Sequence, residues 1–238
     1  MQEREPDEII VSDDSSDPSV GDMVRDWGVL YPTIRYVPGP RSGNAVDNWN
    51  RGIDEATGDY VILVHHDEWC ASKDYLRQVE ALILKQSSPV SVFVGSAVVG
   101  ALRKSRHTLV QKWAIRAGLP KWTLYASNWI GPSAALVFPA DRGERFDPLL
   151  KSLVDVDFYA RVSEGRELLW LGGTHVYSGA HVDQITAQAD LHSLNMSELD
   201  YLKGRTISAS AGQICVIDTV LRLRRYLSKF RQISPRRQ

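Results

Sequence analysis

Acidic and hydroxyl side chains follow the first predicted strand of the sequence. The β-branched run at residues 8–12 is followed directly by Asp13, Asp14, Ser15, Ser16 and Asp17. Carboxylates at the end of a strand can accept hydrogen bonds from a nucleotide base or from a ribose hydroxyl. Asp and Ser are also preferred caps of a following helix. This cluster by itself leaves a binding role and a capping role equally open.

A second cluster, His65-His66-Asp67-Glu68, follows the most apolar predicted strand, over residues 60–64. Carboxylate oxygens are the ligands that Mg²⁺ and Mn²⁺ prefer, and such a cation neutralises charge on a departing diphosphate. A polar turn capped by its own side chains is the alternative. Four consecutive ionisable residues after a buried strand favour the cation site.

Two further clusters lie in the second half of the chain. Asp155 and Asp157 fall in a predicted helix over residues 154–164, where each residue advances by about 100°. The two carboxylates therefore point about 200° apart, so that one could be a general base and the other structural. His181, in a segment flanked by glycine, could be a metal ligand, a phosphate donor or a hydrogen-bonded loop histidine.

The order of the predicted elements indicates the fold class. Apolar runs alternate with helical patterns through the first hundred residues, which is typical of an α/β layer architecture. The predicted strands cover residues 8–12, 34–37, 60–64, 90–99, 134–138 and 168–171, and the predicted helices 18–27, 44–56, 73–85 and 154–164. The stretch from residue 197 onward is predicted to be helical.

Charge and hydropathy narrow the functional classes. With 28 Lys and Arg against 29 Asp and Glu, the chain has no global charge signal for nucleic acid. From residue 219 to the end it carries seven basic residues and no acid, which predicts a basic amphipathic helix that rests on an anionic membrane or packs with a solvated face. No apolar run reaches the roughly 20 residues of a membrane span, and the start does not resemble a signal peptide. We therefore expect a cytoplasmic protein, with peripheral contact at the inner face of the membrane.

Taken in order, these clusters resemble family 2 glycosyltransferases. The segment EIIVSDDSSD is similar to the family's nucleotide-binding strand and loop, and SGNAVDNWNRGIDEATG to the segment that precedes its metal strand. VILVHHDEW resembles the D-x-D region, FDPLLKSLVDVDFYARV the segment with the catalytic base, and AHVDQIT the segment that closes the site. The resemblance implies a GT-A-like (Rossmann-like) mixed sheet flanked by helices over residues 1–205, with a basic C-terminal helix over residues 206–238.

The resemblance also implies an activity and its residues. The reaction would be an inverting transfer of a sugar from a nucleotide-sugar donor to a glycan or lipid-linked acceptor. By position, Asp155 would be the base. The residues implied to contact the nucleotide are Asp13, Asp14, Ser16, Arg41 and Asn48. Those implied to hold Mn²⁺ or Mg²⁺ are Asp67, with His65, Glu68 and His181.

The sequence departs from the family in two respects. His65 and Glu68 stand where the metal motif usually has its first and last Asp. The family also begins with a strand and a helix before the acidic loop, and this chain starts about where that helix would end. We therefore expect an upstream segment to complete the domain. We also expect this chain alone to have low transferase activity. Two alternatives remain open: a non-catalytic domain that binds nucleotide or a partner, and a metal-dependent hydrolase that uses histidine ligands with Asp67.

Overall fold

A computed structural model describes residues 2–100, 103–106, 113, 120–141, 143–179, 191–203, 205 and 210–233. The strands in this part of the chain are β1 (Ile9–Asp13), β2 (Ile34–Pro38), β3 (Tyr60–Ile62), β4 (Glu68–Cys70), β5 (Ser91–Gly100), β6 (Arg103–Arg106), β7 (Leu136–Pro139) and β8 (Leu168–Gly179). The helices are α1 (Ser19–Leu30), α2 (Ala45–Asp54), α3 (Tyr75–Ile83), α4 (Val154–Val162), α5 (Leu191–Leu202) and α6 (Ala211–Ile233). Two 3₁₀ turns cover Lys121–Tyr125 and Ser133–Ala135. The predicted α/β class is therefore confirmed.

The larger sheet has the strand order β3-β7-β5-β8-β4, with β6 also paired to β5. Strands β5 and β8 are parallel and the other pairs are antiparallel, which gives the predicted mixed sheet. The central strand β5 is buried from Ser91 to Ala97. A strand covered on both faces reads as a continuous apolar run, and this explains why β5 was predictable.

Strand β8 is much longer than the predicted strand near residues 168–171. Leu171 pairs with Val94, but the next residue of β5, Gly95, pairs with His175. The three residues between them form a bulge, and Gly173 adopts a positive φ of 91° there. Glycine takes this conformation without strain, so that the strand resumes after the bulge and continues to Gly179. The prediction of a short strand was wrong because the two glycines read as its end.

Strands β1 and β2 form a separate parallel sheet. Among the described residues, no strand pairs with the second edge of β1 or of β3. Helix α2 holds β1 in place through Asn48, whose Nδ2 donates to the Ser12 carbonyl at 3.0 Å and whose Oδ1 accepts from Ser12 Oγ at 2.7 Å. Gly39 lies so close to this sheet that a Cβ would stand 2.8 Å from the Cα of Asp14.

Helix α4 is buried on nearly all sides and packs against β7 and the Lys121–Tyr125 turn. Its Phe158 ring stacks on Phe146 at 3.9 Å and meets Phe138 edge-on at 5.0 Å. An aromatic pair of this kind contributes about 0.5–1.5 kcal/mol beyond its burial. These contacts fix the depth at which the first turn of α4 lies, and that turn carries Asp155.

The helical C-terminal region consists of α5 and α6. Ile217 and Leu221 of α6 are buried in the core, whereas Val216 and Leu223 are 49% and 56% exposed. The first half of α6 therefore has apolar residues on both its inner and outer faces. None of the described helices has the length and apolarity that a membrane crossing requires.

Candidate active site

The turn between β3 and β4 brings three potential metal ligands together. One ligand atom each of His65, Asp67 and Glu68 lies within 4.8 Å of the other two. The strand ends at Ile62, two residues earlier than predicted, and the turn closes when Glu68 N donates to the His65 carbonyl at 3.0 Å. His65 and His66 therefore lie in a turn rather than on a strand.

Glu68 is fixed in the protein interior by donors from the Ser133–Ala135 turn. Its side chain is 4% exposed. Its Oε2 accepts from Ala134 N at 3.0 Å, from Ser133 Oγ at 3.2 Å and from His65 N at 3.2 Å. Its Oε1 lies 3.6 Å from Nδ1 of His65. The carboxylate is thus oriented by the fold, with one oxygen toward the imidazole.

The His65 ring is held between two elements. Its centroid lies 4.6 Å from that of Trp49 on α2, with the planes 32° apart. Ser133 Oγ lies 3.2 Å from its Nδ1. Trp49 is itself supported edge-on by Phe146, 5.5 Å away. The imidazole is therefore placed by packing from α2 and by a polar contact from the turn.

Asp155 faces the same cluster from α4. Its Oδ1 is buried and has no hydrogen-bond partner among the described residues. Burial raises the pKa of Asp155 to about 6; the nearby His65 lowers this pKa and the nearby Glu68 raises it. A carboxyl group with a pKa close to the working pH is well suited to proton transfer.

Tyr159 lies one helical turn beyond Asp155 on α4, and the charges of Asp155 and Glu68 act on its hydroxyl. Burial raises the pKa of its hydroxyl well above 10, and the charges of Asp155 and Glu68 raise this pKa further. The phenol therefore remains protonated and donates to the carbonyl of Gly131 at 3.3 Å. A spacing of four residues places both side chains on one helix face, so the sequence carried a signal for Tyr159 that our prediction did not use.

Asp157 has different surroundings, as the helical spacing predicts. Its side chain is 1% exposed, and its Oδ2 accepts from Arg161 Nε at 2.8 Å. Its Oδ1 accepts from the Tyr125 hydroxyl at 3.2 Å. Arg161 also pairs with Glu144. Asp157 is thus a structural member of a buried ion pair.

The predicted nucleotide residues form a second group at the ends of β1 and β2. Asp13 accepts from Ser15 N at 3.1 Å, from Ser15 Oγ at 2.9 Å and from the Tyr36 hydroxyl at 3.1 Å. The pKa of Tyr36 is raised by burial and by Asp13, and the charge of Arg41 opposes this shift. Asp14 is half-buried and Ser16 is exposed.

Arg41 has a positive φ of 51°. For a residue other than glycine this conformation costs on the order of 1–3 kcal/mol, and such strain is concentrated at functional sites. The turn that contains it is anchored beside the acidic loop, because Gly39 N donates to the Asp13 carbonyl at 2.6 Å.

Two consecutive residues of helix α2 connect the cluster of potential metal ligands to the predicted nucleotide residues. Asn48 bonds to Ser12 of β1, and Trp49 packs on His65. The structure therefore brings His65, Asp67, Glu68 and Asp155 together and ties their cluster to the strand that precedes Asp13 and Asp14. His181 lies outside the described residues. Trp49 and Ser133 were not predicted, because no local pattern distinguishes them from other buried residues.

The family model for "Glycosyl transferase family 2" matches residues 1–149, which is more than half of the chain. The chain belongs to glycosyltransferase family 2. The resemblance predicted from the ordered motifs is thereby confirmed. A search among curated proteins gave no match.

Three solved structures are similar to this family 2 member. S. aureus TarS 1–349 has a TM-score of 0.58 at 15% identity, over 92% of this chain and 63% of that one. S. aureus TarS has a TM-score of 0.56 at 16% identity, over 89% of this chain and 37% of that one. The mannosyltransferase PcManGT from Pyrobaculum calidifontis, in complex with GDP-Man and Mn²⁺, has a TM-score of 0.49 at 16% identity, over 91% and 70%. The two TarS structures confirm the predicted GT-A-like fold, and the chain spans less than two thirds of either one.

Proposed function

We propose that this chain is an inverting glycosyltransferase that moves a sugar from a nucleotide-sugar donor to a hydroxyl of a glycan or lipid-linked acceptor. The observation that carries the proposal is the buried, unpartnered Oδ1 of Asp155 beside the His65, Asp67 and Glu68 cluster. A base with a raised pKa next to a group of cation ligands is the arrangement that this transfer requires. Membership in family 2 supports the same class of reaction.

In the proposed mechanism Asp155 takes the proton of the acceptor hydroxyl as that oxygen attacks the anomeric carbon. The attack comes from the side opposite the nucleotide, the bond between the anomeric carbon and the diphosphate oxygen breaks, and the bonding pair leaves with the diphosphate. Proton transfer by a positioned base contributes about 10²–10⁴-fold to the rate. Burial of Oδ1 keeps water from competing for this oxygen.

Two carboxylates and one imidazole within 4.8 Å of each other suit Mn²⁺ or Mg²⁺ as donors. Such a cation, when bound, neutralises charge on the departing diphosphate. We assign Asp67 as the main ligand from its place in the motif that resembles the D-x-D region. Glu68 Oε2 accepts hydrogen bonds from three donors. Glu68 offers its Oε1, and His65 and His181 complete the proposed set.

For the nucleotide, we infer that Asp14, Ser16 and Arg41 make the direct contacts. Both oxygens of Asp13 accept hydrogen bonds from Ser15 within the loop, and Asn48 is engaged with Ser12. These two residues therefore shape the loop that presents the other three.

The cation assignment predicts metal-dependent nucleotide binding. Calorimetric titration of UDP, GDP and dTDP, each with and without Mn²⁺, should show binding of one nucleotide that Mn²⁺ strengthens. Asp67→Asn should weaken the Mn²⁺-dependent binding by about tenfold or more, because loss of even an outer partner of a metal ligand costs about 10–100-fold. The exposed neighbour His66 provides the matched control, and His66→Asn should leave the affinity near that of the unaltered chain.

Other results of these assays would favour one of the two alternative functions, the non-catalytic domain or the metal-dependent hydrolase. Equal affinities with and without Mn²⁺ would contradict the cation assignment. Nucleotide binding without transfer to any acceptor would favour the non-catalytic domain. Release of free sugar in the absence of an acceptor would favour the hydrolase.

We also infer that α6 makes peripheral contact with an anionic membrane, which would place the chain at the inner face of the membrane in the cytoplasm. Val216 and Leu223 are exposed apolar residues on α6, and each basic residue near an anionic surface contributes about 1 kcal/mol. Co-sedimentation with phosphatidylserine vesicles should exceed that with phosphatidylcholine vesicles and should fall at high salt. Unchanged co-sedimentation after removal of residues 224–238 would refute a contribution of the basic tail to the contact.

A further inference from the structure

The carboxylate of Glu198, on α5, is bound to the backbone at the start of α4. Oε1 accepts from Lys151 N at 2.7 Å, and Oε2 accepts from Ser152 N at 3.1 Å and from Leu153 N at 2.8 Å. The Glu198 residue is 5% exposed. Three backbone donors thus hold this buried carboxylate in place.

This contact supplies an acceptor at the N-cap of α4 that the local sequence lacks. The first N–H groups of a helix have no partner within the helix, and Leu153, the N-cap residue of α4, has no side-chain acceptor. Glu198 accepts from the N–H of this N-cap residue and from those of Lys151 and Ser152 just before the helix, which lie 45 to 47 residues away in the chain. Its negative charge also complements the partial positive charge of the helix N-terminus.

Helix α5 holds the segment before α4 at a second point. Tyr201 is three residues after Glu198 and therefore lies on the same face of α5. Its hydroxyl donates to Asp147 Oδ2 at 2.9 Å. Asp147 in turn accepts from Leu149 N at 2.9 Å. Helix α5 therefore contacts both ends of the segment that leads into α4.

Asp155 lies two residues beyond Leu153, in the first turn of α4. No hydrogen bond from a described residue holds its Oδ1. The position of this oxygen consequently depends on the backbone of the first turn, and Glu198 anchors the backbone that leads directly into that turn, up to the N-cap residue Leu153.

We propose that Glu198 is a positioning residue: it fixes the first turn of α4 and so sets the place from which Asp155 takes the acceptor proton. This inference rests on the proposed function of Asp155. A displacement of about 1 Å at a reacting group can cost about 10²-fold in rate. Loss of the anchor therefore lowers turnover while leaving the nucleotide side of the site unchanged.

The test compares Glu198→Gln with Tyr201→Phe in the full chain. The glutamine has the same size, but its NH₂ group replaces one acceptor and faces backbone N–H donors. We expect Glu198→Gln to lower kcat by about 10–100-fold per folded molecule with the donor KM nearly unchanged, and to speed amide hydrogen exchange over residues 151–156. Tyr201→Phe removes a hydrogen bond from the same helix face without touching α4, and both quantities should stay close to those of the unaltered chain.

The folded fraction of each variant is measured by circular dichroism well below its melting temperature. If Glu198→Gln does not fold, Glu198→Asp, which keeps the charge, replaces it. Unchanged exchange over residues 151–156 would overturn the anchoring, and faster exchange with unchanged kcat would overturn the positioning role. An equal loss of kcat in Tyr201→Phe would assign the effect to docking of α5 in general. If the unaltered chain transferred no sugar from any donor, the proposed function would be refuted, and with it the catalytic role of Glu198. The hydrogen-exchange result would still decide whether Glu198 anchors the backbone before α4.

Discussion

Replacement of Asp155 by asparagine is expected to lower transfer by about 10²–10⁴-fold, while nucleotide binding stays unchanged. The amide is isosteric with the carboxyl group but cannot accept the acceptor proton. Asp155 lies on α4, whereas the residues that are proposed to hold the nucleotide follow β1 and β2, so that the loss should fall on kcat. Single-turnover kinetics, together with nucleotide titration of the same preparation, measure both quantities. Normal turnover in this variant would refute the assignment of the base.

The same substitution should stabilise the fold above neutral pH. The pKa of Asp155 in the folded chain is about 6, higher than the value of about 3.9 in an unfolded chain. An ionised carboxylate with a raised folded pKa opposes folding above that pKa, and the penalty disappears as the pH falls toward the unfolded value. We expect Asp155→Asn to gain on the order of 1–3 kcal/mol at pH 8 and almost nothing at pH 4. Urea unfolding at the two pH values measures the difference, and an equal effect at both would contradict this origin of the gain.

Asparagine at position 157, only two residues away, is expected to have the opposite effect. Asp157 is buried and ion-paired with Arg161. Removal of one charge leaves a partly buried guanidinium whose remaining acidic partner among the described residues is Glu144. Loss of one partner of a buried pair costs about 3–5 kcal/mol, and the remaining contact with Glu144 places our expectation near 3 kcal/mol. For a chain of this length the melting temperature should fall by roughly 6–12 °C.

Thermal unfolding and turnover of the two variants, measured side by side, separate the roles. Asp155→Asn should be stable and inactive, and Asp157→Asn should be unstable and active per folded molecule. The reverse pattern would mean that the roles of the two carboxylates have been exchanged. Such a pairing of gained stability with lost activity is typical of residues that are kept for function.

The sequence predicted the elements that have a strong local pattern. The apolar run of β5, the helical pattern of α2 and the acid-rich ends of β1 and β3 could all be recognised because each is specified by neighbouring residues. Strand β4 was not predicted, since its three residues Glu68–Cys70 are extended only through their pairing with β8. The strand thus depends on residues about a hundred positions away, which a local reading does not include.

The candidate site shows the same division. The helical angle of 100° per residue already predicted that Asp155 and Asp157 have separate surroundings. The partners that orient the site, Ser133 on Glu68 and Glu198 on α4, were not found, because a buried serine or glutamate has no sequence pattern that names its partner. Their contacts are a property of the folded chain alone.

The hydrogen bonds that build the site also join distant parts of the chain. Ala134 bonds to Glu68 across 66 residues, Phe146 to Asn50 across 96, and Leu153 to Glu198 across 45. Contacts at such separations must close long loops before they add any stability, and they tend to form late in folding. An intermediate could therefore contain the sheet core and several helices while its acidic turn and its α4 carboxylate were still far apart. The site is completed only when the whole chain has folded.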